Sequence, residues 1–329
     1  MIARTVWIRT PARLHLGMLD LSGSLGRRFG GLGLAVERPS VVVSVTAASS
    51  LEVIGPCAAR VQRLVARVWT RLDSKNALAG ARIRIHETIP SHVGLGSGTQ
   101  LHLAVVEALA RLRGIPLTPE QLTRLSERGR RSGVGTWVYL YGGFVVEGGR
   151  PVDGARPLAP LLIRLDIPAA WRWIVAIPRD IHGIHGRMEE EVFLRRIRMD
   201  ETVSGQICRR VIMQMLPALV EGDIRAFGTA LTEVQRLVGD VFAPVQGGRF
   251  AHPLSAALID AMLELGAAGA GQSSWGPTVY GVVADASTAQ RLAESLQHRT
   301  GPDGRPFGET ATIMVVATNR AGRQIWTER

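Results

Sequence analysis

The chain has 329 residues, of which 46% are hydrophobic and 20% are charged, and its formal net charge is +11. That balance is typical of a globular protein and excludes a disordered one, and the length suggests two domains. No apolar run approaches the ~20 residues of a membrane-spanning helix, and the N-terminus lacks the apolar core of a secretion signal. We therefore expect a cytoplasmic protein without a membrane partner.

Strands and helices alternate along the N-terminal half. Enrichment in Val and Ile and alternation of apolar with polar residues predict strands; these cover residues 1–10, 39–54, 81–86 and 144–147. Apolar residues at helical spacing predict helices over residues 58–72 and 99–112. Thr118 and Gln121 form a capping box with Pro119 at the first helical position, which predicts a further helix from that point.

A cluster of prolines separates the C-terminal half. Four prolines between residues 150 and 170 predict a boundary that divides the chain into residues 1–165 and 166–329. Beyond it, the predicted strands cover residues 171–178, 277–284 and 310–318. The predicted helices cover residues 188–216, 223–238, 254–265 and 286–298. The whole is predicted to be a mixed α+β protein in two halves.

A glycine-rich loop lies between the strand at 81–86 and the helix at 99–112. Glycines permit a tight turn and close approach to a ligand, and the N–H groups at a helix start favour an anion. The loop lacks the lysine of a P-loop and the glycine spacing of a dinucleotide site. An ordinary turn is the alternative, but hydroxyls, glycines and helix together favour a phosphate or diphosphate site. Its predicted residues are Gly94, Gly96, Ser97, Gly98, Thr99 and Gln100.

The loop resembles the phosphate loop of the GHMP kinase superfamily and departs from it at Gly98, where the kinases usually have serine. The segment from Ser132 to Thr136 resembles a kinase segment whose aspartate helps to activate the phosphoryl acceptor. Gly135 stands at that position and has no side chain to do this. The resemblance of both segments makes an ATP-dependent small-molecule kinase of the superfamily the alternative function. Gly135 argues against it.

Four motifs are similar to one branch of that superfamily, the β-ribofuranosylaminobenzene 5'-phosphate synthases. They lie at residues 10–33, 94–100, 131–136 and 272–278. The resemblance implies a two-domain, GHMP-kinase-like α+β fold, with a ribosomal-protein-S5-domain-2-like N-terminal domain and a ferredoxin-like C-terminal domain. A homodimer is also expected from it.

The resemblance implies a reaction of phosphoribosyl pyrophosphate with a 4-substituted benzoate. The sugar loses diphosphate, the ring carbon that bears the carboxylate attacks the anomeric carbon, and CO₂ leaves. The product serves tetrahydromethanopterin biosynthesis. The sequence does not choose between 4-hydroxybenzoate and 4-aminobenzoate. Because the leaving group is anionic, we expect Mg²⁺ as a cofactor, bound by oxygen ligands.

The motifs supply the candidate site residues. The catalytic candidates are Arg13, His15 and Asp20, and the metal-ligand candidates are Asp20 and Glu190. The acidic run around Glu190 fits a solvated helix start equally well. The candidate substrate-binding residues are Arg27, Ser132, Gly133, Thr136, Ser273, Ser274 and Trp275. Trp275 could stack on the aromatic acid, although tryptophan is more often a core residue.

The high positive charge raises nucleic-acid binding as a further alternative. The arginines, however, are scattered over many segments, and aromatic residues make up only 5% of the chain. No recognisable nucleic-acid-binding motif is present. We therefore expect small-molecule substrates and no nucleic-acid partner.

Overall fold

The computed structural model describes residues 4–72, 79–181, 183 and 197–328. The strands in this part are β1 Thr5–Asp20, β2 Arg27–Ala48, β3 Glu52–Ile54, β4 Gly80–Glu87, β5 Phe144–Glu147, β6 Arg150–Pro151, β7 Leu161–Leu165, β8 Arg172–Pro178, β9 Gly269–Gln272, β10 Val279–Val283, β11 Ala311–Val316 and β12 Gln324–Glu328. The helices are α1 Ala58–Val68, α2 Ser97–Leu112, α3 Pro119–Leu125, α4 Val134–Tyr141, α5 Glu201–Arg210, α6 Leu216–Glu221, α7 Ile224–Gln246, α8 Pro253–Glu264, α9 Ala286–His298 and α10 Phe307–Thr310.

The first sheet is built around the long β1–β2 hairpin. Its strand order is β12-β1-β2-β4-β3, and β5 pairs with β2 at the far end of the hairpin. His15 on β1 lies opposite Gly33 on β2, and the register shifts immediately afterwards. This irregularity leaves Leu16 outside the pairing, as in a β-bulge. Gln235 on α7 donates a hydrogen bond from Nε2 to the Leu16 carbonyl at 2.7 Å.

The second sheet has the order β11-β8-β10-β9. Helix α7 lies between the two sheets and contacts both β1 and β9. Its Gln235 also accepts the Gln272 backbone N–H at 2.8 Å, so one side chain ties β1 to β9. Phe227 packs against Phe144 of the first sheet and Trp173 of the second. These contacts fix the separation of β1 and β9.

The predicted mixed α+β class is confirmed. The helix predicted over 286–298 is α9, with the same bounds. The strands predicted over 1–10 and 39–54 were too short, because the motif at residues 10–33 belongs to the β1–β2 hairpin. Gly33 allows this: a Cβ atom there would collide with Val134 Cγ1 of α4. The strand needs glycine where the helix packs against it.

The prediction of a helix over 188–216 was wrong in its bounds. Residues 184–196 lie outside the described residues, and residues 197–200 are not helical. Asp200 caps α5 by accepting the Thr202 N–H at 2.7 Å, so the helix begins at Glu201. The division into residues 1–165 and 166–329 stays a prediction. The structure adds that β12 returns to pair with β1 in the first sheet.

A buried ion pair ties the C-terminal segment to α2. Glu107 accepts hydrogen bonds from Arg323 Nε at 2.7 Å and from the Tyr139 hydroxyl at 2.7 Å. Burial would raise the pKa of Glu107, but hydrogen bonds from Arg323, Tyr139 and Arg111 outweigh it and hold the pKa below its usual value. The ionised carboxylate therefore contributes stability above about pH 4.5, and this contribution is lost as the pH falls.

Arg323→Ala is expected to lower the free energy of unfolding by about 2–3 kcal/mol at pH 7, because Glu107 loses a bidentate partner in a buried place. Urea unfolding measures this. Arg320→Ala is the control, since its ion pair with Asp166 is exposed on both sides. It is expected to cost less than about 1 kcal/mol. Equal losses in the two variants would contradict a special role for the buried pair.

Candidate active site

The glycine-rich loop packs backbone to backbone against the segment after β9. A Cβ atom on Gly94 would collide with the carbonyl oxygen of Ser273 and would lie 2.9 Å from Gly276 Cα. Ser273 Oγ donates to the Gly94 carbonyl at 2.7 Å and accepts the His15 backbone N–H at 3.0 Å. Three of the predicted motifs, on β1, the loop and the segment after β9, therefore meet at the Ser273 hydroxyl.

Helix α2 begins directly from this loop. Gly96 is its N-cap, with φ of 75°, and no side chain caps the helix. The first N–H groups, on Ser97 and Gly98, have no acceptor within the helix. Gln100 is fully buried; it accepts from Thr10 Oγ1 at 3.0 Å and donates to the Gly135 carbonyl at 2.9 Å. Both ends of its side-chain amide are therefore engaged inside the fold, and its assignment to the diphosphate site stays a prediction.

Gly135 lies in the first turn of α4, at the position where the resemblance to the kinases implies an aspartate. A Cβ atom on Gly135 would lie 2.9 Å from Thr99 Cγ2. Thr99 therefore occupies the space that a larger side chain would need. Thr136 is also fully buried, with Oγ1 3.4 Å from Thr123 Oγ1. Gly135 and Thr136 therefore contribute to helix packing, and neither supplies a carboxylate that could activate an alcohol.

A cleft of about 800 Å³ opens in front of Thr99 and Ser132. Seven arginines line it: Arg13, Arg28, Arg67, Arg128, Arg130, Arg131 and Arg150. Glu127 is the one acidic residue in the described lining, and Arg67 pairs with it at 2.9 Å. A concave surface with this excess of positive charge attracts a multiply anionic ligand. The volume suits a phosphorylated small molecule.

Two neighbouring arginines of the hairpin take different roles. Arg27 donates from Nε to the Gly148 carbonyl at 2.8 Å and from Nη2 to the Gly149 carbonyl at 2.7 Å. Its guanidinium thus holds the turn after β5 and is not part of the cleft lining. Arg28, which the motif analysis did not single out, lines the cleft.

His15 lines the cleft and has both ring nitrogens engaged. Nδ1 accepts the Gly17 N–H at 3.4 Å, so Nε2 carries the proton and donates to Ser132 Oγ at 3.3 Å. Burial, and then the nearby Arg13 guanidinium, lower the pKa of His15 to about 3. The ring is therefore neutral at pH 7. Arg13 lies on the same strand and donates to the Gly94 carbonyl at 3.3 Å.

Glu147 continues this chain of hydrogen bonds and was missed by the sequence analysis. It is fully buried at the end of β5 and accepts a hydrogen bond from the Ser132 hydroxyl. It also accepts the Gly133 N–H at 3.3 Å and the Gly149 N–H at 2.8 Å. An acid that ends an apolar strand between two glycine pairs was the available signal.

Trp275 lies at the wall shared by the cleft and a small apolar recess. It is only 6% exposed, and its ring meets Phe242 edge to face at a centroid distance of 4.6 Å. The recess measures about 40 Å³, enough for about one water molecule and too small for an aromatic acid. An aromatic ligand would therefore lie in the cleft, against Trp275 and the neighbouring Ser274.

Asp20 ends β1 and turns towards its own hairpin. Its Oδ1 accepts the Ser22 N–H at 2.6 Å and the Ser22 hydroxyl at 2.7 Å. It is absent from the described lining of the cleft. Glu190 lies outside the described residues. Among the residues the structure describes, no three His, Cys, Asp or Glu side chains form a metal-binding group. The assignment of Asp20 and Glu190 to a metal stays a prediction.

Comparison with known proteins decides the family. The family model of the GHMP kinases N terminal domain matches residues 63–143, and that of the GHMP kinases C terminal matches residues 215–303. A beta-ribofuranosylphenol 5'-phosphate synthase from Archaeoglobus fulgidus is 35% identical over 95% of this chain and 97% of its own length. The chain belongs to the beta-ribofuranosylphenol 5'-phosphate synthase family. The resemblance read from the four motifs is thereby confirmed.

A second synthase, from Methanothermobacter thermautotrophicus, is 32% identical over 84% of this chain and 88% of its own length. The structure is also similar to that of a homoserine kinase from Cytophaga hutchinsonii, with a TM-score of 0.67 and 16% identity over 98% of this chain and 97% of that one. The GHMP-kinase-like fold predicted for this chain is thereby confirmed. No helix in the described part of this synthase-family chain is long and apolar enough to cross a membrane.

Proposed function

We propose that the chain transfers ribose 5-phosphate from phosphoribosyl pyrophosphate to 4-hydroxybenzoate. The anomeric C–O bond breaks, and its electron pair leaves with the diphosphate. The ring carbon that bears the carboxylate forms the new C–C bond. Its bond to the carboxylate then breaks, CO₂ leaves, and the electron pair restores the aromatic ring. The relatives' name, which specifies a phenol, favours the hydroxy acid over 4-aminobenzoate. The step would serve tetrahydromethanopterin biosynthesis.

The arginine-lined cleft that ends at the glycine loop carries this proposal. Phosphoribosyl pyrophosphate has an anionic group at each end, which matches a cleft with seven arginines and one paired acid. Charge grows on the diphosphate as the bond breaks, so donors fixed in advance stabilise the transition state. At Gly135, packed against Thr99, no carboxylate is present to activate an alcohol for phosphorylation. These two features favour a synthase over a kinase.

We propose that Mg²⁺ enters the site bound to the substrate's diphosphate. The described cleft offers one carboxylate, Glu127, which Arg67 already engages, and hydroxyls on Thr99, Ser132 and Ser274. This set does not fit a metal ion held by the protein alone. Mg²⁺ commonly binds through substrate phosphates with few protein ligands, so we expect the diphosphate to carry it. We also propose a homodimer and a cytoplasmic location, as the family resemblance and the sequence suggest.

The test is incubation of the chain with phosphoribosyl pyrophosphate, Mg²⁺ and carboxyl-labelled 4-hydroxybenzoate. We expect equal amounts of labelled CO₂ and diphosphate. A parallel reaction with 4-aminobenzoate shows which acid is preferred. Absence of CO₂ release with both acids contradicts the proposal, and ATP turnover with an alcohol acceptor would favour the kinase.

Trp275→Ala is expected to raise the KM for the benzoate by about two- to tenfold, because an aromatic contact contributes about 0.5–1.5 kcal/mol. The KM for phosphoribosyl pyrophosphate should change less than about twofold. Steady-state kinetics measure both. Trp275→Phe should restore most of the loss, and Trp326→Ala, on β12 of the first sheet, should alter neither value. A loss of thermal stability with an unchanged KM would make Trp275 a core residue only.

A further inference from the structure

Two arginines meet on a buried histidine beside the start of α2. Arg60, on α1, donates from Nε to His102 Nε2 at 3.2 Å. Arg128, just after α3, donates from Nε to His102 Nδ1 at 3.2 Å and places Nη2 3.0 Å from Nε2. The Ser126 carbonyl oxygen also lies 3.1 Å from Nδ1. Both guanidinium groups therefore contact the same imidazole ring.

This cluster, Arg60–His102–Arg128, carries charge that the histidine does not neutralise. Burial, and then the Arg128 and Arg60 guanidinium groups, lower the pKa of His102 to about 3, so the ring is neutral at pH 7. Burial also lowers the pKa of Arg60. Arg60 forms no ion pair with any carboxylate of the described residues. Two adjacent guanidinium groups repel each other in a partly buried place, and an anion between them would relieve that repulsion.

The cluster faces the glycine loop. A Cβ atom on Gly98 would collide with Arg60 Nη2 and would lie 3.2 Å from Arg128 Nη2. Because Gly98 has no side chain, both guanidinium groups reach the loop backbone. His102 and Arg128 also belong to the wall of the 800 Å³ cleft. Arg128 therefore borders the cleft directly, and Arg60 lies beside it at Gly98 of the loop.

We propose that Arg60 and Arg128, held together by His102, bind the diphosphate of phosphoribosyl pyrophosphate and retain it as it leaves. The proposal rests on the proposed function. A guanidinium group matches two phosphate oxygens at once, and two such groups can grip both phosphates. The sugar's 5'-phosphate has the same chemistry, so the test must distinguish the two ends of the substrate.

Isothermal titration calorimetry of the full chain, with Mg²⁺ present, measures binding of pyrophosphate, ribose 5-phosphate and phosphoribosyl pyrophosphate. Arg60→Gln and Arg128→Gln are expected to weaken binding of the two diphosphate compounds by about 10- to 100-fold, and of ribose 5-phosphate by less than about twofold. Arg63→Gln is the matched control, since Arg63 is exposed on the same helix and its loss removes the same charge. It should change each affinity by less than about twofold.

Unchanged pyrophosphate affinity in both variants, with wild-type binding of phosphoribosyl pyrophosphate intact, overturns this proposal and leaves the proposed function standing. Weakened binding of ribose 5-phosphate alone assigns the arginines to the other end of the substrate and also overturns it. A wild-type chain that does not bind phosphoribosyl pyrophosphate contradicts the proposed function, and this proposal with it.

Discussion

Gly96→Val is expected to weaken phosphoribosyl pyrophosphate binding by at least about 100-fold. Gly96 has φ of 75°, a left-handed conformation that a β-branched residue avoids. Space is not the obstacle, because a Cβ atom there would lie 3.4 Å from Arg13 Cβ. The backbone at residue 96 must instead leave the left-handed conformation, and the N–H groups of Ser97 and Gly98 then no longer point at the ligand. Loss of one such donor costs on the order of 100-fold or more.

The matched control for this prediction is Gly114→Val. Gly114 follows the other end of α2 with φ of 72°, and a Cβ atom there would have no neighbour within 4 Å. Both variants should lose about 1–2 kcal/mol of stability from the backbone alone. Calorimetric titration should show weak binding only for Gly96→Val. Retained affinity in that variant, or an equal loss in Gly114→Val, would remove the loop from the diphosphate site.

The loop could be predicted from the sequence because its chemistry is local. Glycines, hydroxyls and the start of α2 are contiguous, so their order along the chain already describes their arrangement in space. The capping box at Thr118 is local in the same sense, and both of its hydrogen bonds are present. Helix α9 was predicted with its observed bounds because Asp285 caps it and its apolar residues have helical spacing.

The cluster that faces the loop could not be predicted, because Arg60, His102 and Arg128 come from three separate segments. Only tertiary packing brings them together. The hairpin shows a second limit. Adjacent residues of a strand point to opposite faces, so a motif that contains both Arg27 and Arg28 does not show which one reaches the cleft. The observed register turns Arg28 towards it and Arg27 towards the turn after β5.

Glu147 was missed because only tertiary packing brings its carboxyl group to Ser132. Its burial there makes stability and activity depend on pH. Burial is the main cause that raises the pKa of Glu147 from 4.5 to about 7, although hydrogen bonds from Gly149, Ser132 and Gly133 and the charge of Arg27 oppose it. Through Ser132, the carboxyl group is linked to the neutral His15 ring. Three donors point at this carboxyl group, an arrangement that suits the ionised form.

Glu147→Gln is expected to remove a pH dependence of stability. A raised pKa means that the folded state holds the proton more tightly than the unfolded state. The contribution is therefore complete below about pH 4.5 and is lost as the pH rises through about 7, by up to about 3 kcal/mol. His15 acts in the opposite sense, since its pKa is lowered. Urea unfolding of wild type and variant at several pH values isolates the Glu147 contribution as a difference.

The activity of this variant separates a positioning role from a merely structural one. In the wild type, kcat/KM is expected to rise with pH through about 7, as the ionised Glu147 fixes Ser132 and, through it, His15. In Glu147→Gln that rise should disappear, with activity at pH 8 lowered by about tenfold or more, because an amide N–H₂ replaces one acceptor that faces an N–H group. Glu120→Gln, an exposed substitution in the first turn of α3, should keep the wild-type profile. An equal fractional loss at every pH would show that Glu147 only supports the fold.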